Sequence, residues 1–89
     1  MDLEEWRNAN GLLYRDVASR IGASSPSKAR QYALGEAWPR PEQLDRILSA
    51  CSGVELFSMH RRRLAWVREN RREIKRSVRT EPAEVERSA

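Results

Sequence analysis

Apolar positions recur along this chain at three- and four-residue intervals, and no stretch alternates from one residue to the next. That period predicts helices and no strands. Leu3 and Trp6 share one face of a first helix, expected from Leu3 to about Asn8. Asp2 can cap it, Glu5 three residues on can complete a capping box, and Gly11 closes it. Val17, Ala18 and Ile21 mark a second helix over Tyr14 to Ile21, with Gly22 supplying the turn. A third starts after Ser25, with Pro26 at the first helical position, where its missing N–H costs nothing, and ends at Leu34 before Gly35. Trp38-Pro39-Arg40-Pro41 is a rigid connector. A fourth helix follows from Pro41 to about Cys51, with Leu44, Ile47, Leu48 and Cys51 as its apolar stripe. From Glu55 no proline or glycine interrupts the chain until Pro82, which predicts a fifth helix of about 20 residues or more. The pattern as a whole is all-α: a compact five-helix bundle whose last helix is long and basic.

Eighty-nine residues, 39% hydrophobic and 34% charged, suffice for one small core and leave little for a second. The expected organisation is a domain over 1–59, a basic helix over 60–79 and a disordered tail over 80–89. No apolar run approaches a membrane span, and the acidic start Met1-Asp2-Leu3-Glu4-Glu5 is unlike an export signal. A single cysteine forms no internal disulfide, which fits a reducing cytoplasm, and Cys51 reads as a small buried apolar residue. With one histidine, His60, and one cysteine there is no metal-ligand set and no nucleophile–base pair. A phosphate-cradling glycine loop is missing too, so neither an enzyme, a cofactor, a metal nor a small-molecule ligand is expected.

The distribution of charge says more than the net +4. Residues 1–54 balance seven basic against seven acidic side chains, whereas 60–79 set nine basic groups against Glu69 and Glu73 alone. Such a run is either the footprint of a polyanion or a solvated helix face. The third helix adds a second indication. Its periodicity turns Ser27, Lys28, Arg30 and Gln31 outward while Ala29 and Tyr32 point back. A helix held against another helix, presenting small polar and basic side chains from its first turns, is what entry into a DNA major groove requires.

From about Leu3 to Met59, some two-thirds of the chain, the sequence resembles the Cro/phage-repressor type of helix-turn-helix domain, the Xre-like family. The matching elements are Gly11-Leu12, Asp16-Val17-Ala18, Ile21-Gly22, Ser24, Tyr32 with Gly35, Pro41, Leu44 with Ile47, and Gly53-Val54. Three departures stand out. Leu13 replaces the usual Ser or Thr cap, Tyr14 replaces a frequent Gln, and the interval from Gly22 to Gly35 is one residue longer than is common. The resemblance implies a small bacterial or phage transcription regulator, expected to be a repressor, that binds double-stranded DNA. On that expectation Lys28 and Arg30 read bases, with Ser25, Ser27 and Gln31 beside them. Tyr14 and Arg15, opening the second helix, hold a phosphate, and Arg40 is a further phosphate clamp.

In the fifth helix Phe57, His60, Leu64, Val67, Arg71, Ile74 and Val78 follow the spacing of a coiled-coil seam. A homodimer through Phe57, Leu64, Val67 and Ile74 is therefore expected, on an inverted-repeat operator. Alternatively, Arg71, Arg72, Lys75, Arg76 and Arg79 form an arm that orders on DNA. Trp6 and Tyr32 are read as packing residues, and Trp38 as core in preference to a partner anchor. Two rival functions remain open. One is a helix-turn-helix protein acting through a protein partner, as an antitoxin or anti-activator. The other is a non-specific nucleic-acid binder whose affinity falls steeply with salt for every sequence alike.

Overall fold

The computed structural model describes residues 1–71, and among these the chain is all-α, with five helices and no strand. They are α1 (Leu3–Ala9), α2 (Tyr14–Ile21), α3 (Pro26–Leu34), α4 (Pro41–Ala50) and α5 (Leu56–Glu69). No helix among the described residues is long and apolar enough to cross a membrane.

The starts of these helices follow from local chemistry. The Asp2 carboxylate accepts the Glu5 N–H at 2.9 Å, and the Glu5 carboxylate accepts the Asp2 N–H at 2.8 Å, which completes the capping box on α1. Ser25 caps α3 by accepting the Lys28 N–H at 3.1 Å, with Pro26 at the first position. At α2 only half a box can form. Asp16 accepts the Leu13 N–H at 3.0 Å, but the leucine side chain has nothing to offer in return. The ends of α2 and α3 are glycines in the left-handed region, Gly22 at φ 69° and Gly35 at φ 82°.

One face of each helix meets the others in a single core of Leu3, Trp6, Val17, Ala18, Ile21, Ala29, Ala33, Ile47, Cys51, Val54 and Met59. Small side chains sit where helices cross: Ala18 on α2, and Ala29 and Ala33 on α3. They let α3 pack directly on both α1 and α2, while α5 meets α3 from another side. Gln43 on α4 ties the bundle further by donating its side-chain amide to the Ile21 carbonyl at the end of α2. Buried Asp2 is fully partnered, since its second oxygen accepts Arg62 Nε at 3.0 Å.

Two expectations about the helices need correction. Leu48 belongs to the sequence stripe of α4 but lies exposed, because the buried side of α4 is centred on Ile47 and Cys51. The fifth helix closes at Glu69, after 14 residues. Asn70 ends it by turning both its backbone N–H and its side-chain amide onto the Trp66 carbonyl, each at 2.9 Å, and Arg71 is helical again. An asparagine can end a helix without glycine or proline because its side chain competes for backbone partners. The expected seam positions Ile74 and Val78, the arm residues Arg72, Lys75, Arg76 and Arg79, and the tail over 80–89 lie outside the described residues.

Candidate nucleic-acid interface

The buried alanines of α3 leave the opposite side of that helix to solvent. Ser27, Lys28 and Arg30 are exposed there, and Gln31 is half-buried at the margin. Neither Lys28 nor Arg30 forms a salt bridge among the described residues. The Lys28 ammonium lies 5.8 Å from the centre of the Tyr32 ring, an attraction that leaves its three donors available. Tyr32 is half-buried against the core, as its spacing predicts. Ser25 is engaged as the cap of α3, although its hydroxyl proton is left to donate elsewhere.

The start of α2 differs from what was expected of it. Tyr14 donates its one hydroxyl proton to the Glu4 carboxylate, with oxygen separations of 3.0 and 3.1 Å, and the Arg7 guanidinium lies over its ring at 4.3 Å. The phenol is thereby left without a donor for a phosphate. Burial, with the neighbouring Glu4 carboxylate, raises the Tyr14 pKa and keeps that proton in place. Glu4 is in turn held below the usual carboxylate range, chiefly by the Arg7 guanidinium hydrogen-bonded to it at 2.9 and 3.0 Å. Tyr14 is thus a clasp between α1 and α2, and the half-buried Asp16 carboxylate adds negative charge at the same helix end. Of the two residues assigned to phosphate there, Arg15 remains exposed and unpaired among the described residues.

The Arg30 charge on α3 is among those that act on the Tyr14 phenol, and α3 packs directly on α2. Arg40 is exposed as the N-cap of α4, without a side-chain partner among the described residues. No ion pair among the described residues involves it.

Basic residues of α5 divide by role. Arg62 pairs with Asp2, and Arg63 Nη1 donates to the carbonyls of Gly35 and Glu36 at 2.8 and 2.6 Å. Arg61 lies over the ring of Phe57. The uniform basic run of the sequence is therefore partly structural, and the contacts that make it so link residues 27 to 60 positions apart. Phe57 is 72% exposed and Leu64 54%, whereas Val67 is half-buried, so the expected seam is open at Phe57 and Leu64. Trp38 packs partly against the core and stacks on the His60 ring at 4.4 Å.

Compared with known proteins, the chain matches no family model, no curated protein and no solved structure.

Proposed function

We propose that the protein is a sequence-specific DNA-binding regulator, a repressor acting by occupancy. In this reading α2 and α3 work as a helix-turn-helix, with α3 in the major groove. The observation that carries it is the exposed face of α3. Ser27, Lys28 and Arg30 are exposed and have no ionic partner among the described residues, while Ala29 and Ala33 anchor the same helix from behind. Arg30 or Lys28 would meet a guanine edge, and each good two-pronged contact contributes about 1–3 kcal/mol of discrimination. Arg15 and Arg40 would serve phosphates, which position without specifying.

Selection from a random duplex pool at physiological salt tests the reading, because non-specific contacts are already weakened there. One short motif should enrich, and the double substitution Lys28→Ala with Arg30→Ala should abolish the preference. Without enrichment the reading falls.

In the same reading a second copy covers Phe57 and Leu64, and the selected motif is then an inverted repeat. A different observation favours a second function, action through a protein partner. Arg61 and Arg68 are exposed on the same helix as Phe57 and Leu64, and pairing α5 with itself brings like charges close together. An acidic partner surface would relieve that repulsion. Light scattering at micromolar concentration, free and on DNA, separates them: a dimer supports the second copy, and a monomer in both states leaves the face to a partner.

A further inference from the structure

Arg63 occupies an unusual place for a member of a basic run. It reaches the C-terminal end of α3, where Gly35 turns the chain in the left-handed region and the N–H groups of Glu36 and Ala37 both donate to the Gln31 carbonyl. The carbonyls of Gly35 and Glu36 point outward from that turn, and Arg63 Nη1 donates to both, at 2.8 and 2.6 Å. A cation there also complements the negative end of the α3 dipole. The backbones are equally close: a Cβ on Gly35 would stand 2.8 Å from the Arg62 carbonyl oxygen. Three residues before Arg63, His60 stacks on Trp38, just beyond the same turn, with ring planes 21° apart. The end of α3 is thus held to α5 by a two-carbonyl bridge, a backbone contact and an aromatic stack.

Held at one end, a helix is aimed at the other. A nine-residue helix is about 13 Å long, so a tilt of about 10° at Gly35 moves its first turn by about 2 Å. Base-edge hydrogen bonds tolerate roughly 0.5 Å. We infer that Arg63 is a positioning residue for base reading by α3: it contacts no DNA and fixes the helix that does. This rests on the DNA-binding function proposed above.

The test compares the full chain with its Arg63→Ala and Arg63→Lys variants at a temperature where circular dichroism shows all three folded. In the free protein, Arg63→Ala should speed amide exchange at residues 35–37 by about tenfold relative to the core amides of Val17 and Ile21. Arg63→Lys, which keeps a donor and a charge, should restore much of the protection. Equal exchange in all three would overturn the brace whatever the protein does with DNA. On the selected duplex, the ratio of specific to non-specific affinity should fall about tenfold in Arg63→Ala, with the slope of log affinity against log salt unchanged. A slope smaller by about one would instead make Arg63 a phosphate contact, and an unchanged ratio would give it no part in reading; either overturns the inference. If the wild-type chain selects no site, the DNA-binding function fails and the base-reading role with it, while the exchange result still reports separately on the brace.

Discussion

Tyr14, Glu4 and Arg7 form a small polar unit at the edge of the core, and its ionisation gives the fold a defined acid response. Glu4 sits below its ordinary pKa of 4.5 because Arg7, and after it the Tyr14 hydroxyl, hydrogen-bond the charged form. A carboxyl lowered in the folded state adds stability above its unfolded pKa and gives it up as pH falls through the folded value. Urea midpoints should therefore stay level from pH 7 to about 5 and decline below that. Glu4→Gln should lower the midpoint at pH 7 and make the acid limb shallower; an unchanged limb would remove Glu4 from the response. Tyr14→Phe, which loses only the proton donor, should cost about 1 kcal/mol at pH 7. Gly35 makes a second prediction at this scale. Alanine there meets both the positive φ of 82° and the α5 backbone 2.8 Å away, whereas Gly53, at φ 99°, has no neighbour within 4 Å. Chemical unfolding should show Gly53→Ala losing about 1–2 kcal/mol from backbone strain alone, and Gly35→Ala losing clearly more.

At the scale of the element, the start of α2 lacks a side-chain cap. Leu13 is 53% exposed and extended at φ −90°, a backbone that serine or aspartate would adopt at an N-cap. Leu13→Ser should complete the box begun by Asp16 and raise stability by about 0.5–1 kcal/mol in a thermal scan. Ser25→Ala should lower it by about 1 kcal/mol, since the Lys28 N–H then loses its acceptor. The end of α2 and both ends of α3 were legible because proline, serine and glycine act within a turn of where they stand. The closure of α5 at Asn70 was not. Asparagine is compatible with both helix and cap, and only the position of the Trp66 carbonyl relative to its side chain decided between them.

For the whole molecule, the exposed face of α5 matters most. Phe57 and Leu64 contribute little to the core, so Phe57→Glu with Leu64→Glu should leave the unfolding free energy of an isolated chain within about 0.5 kcal/mol. If a second copy covers them, the same pair should shift the mass in light scattering from two chains to one and weaken binding to an inverted repeat. Unchanged mass and binding would assign the face to another partner. The Lys28→Ala and Arg30→Ala pair belongs at this scale too. If the proposed base reading holds, it should flatten sequence preference without unfolding the bundle, because neither side chain is part of the core.

By itself the amino-acid order determined the all-α class, the limits of the first four helices to within a residue or so, and most of the inward positions, from Leu3 and Trp6 to Cys51. These depend on period, caps and turn residues, which act over three or four positions along the chain. It also singled out Ser27, Lys28 and Arg30 as outward on α3 against an inward Ala29 and Tyr32, while the burial of Ala33 and the half-burial of Gln31 emerged only in the fold. Tertiary structure alone decided which charges were already engaged. Tyr14 met Glu4 ten residues away, Arg62 met Asp2 across 60, and Arg63 met the end of α3 across 28. Hydrogen bonds and ion pairs reach only about 3–4 Å, so their partners are set by where helices cross, and sequence spacing carries no record of that crossing.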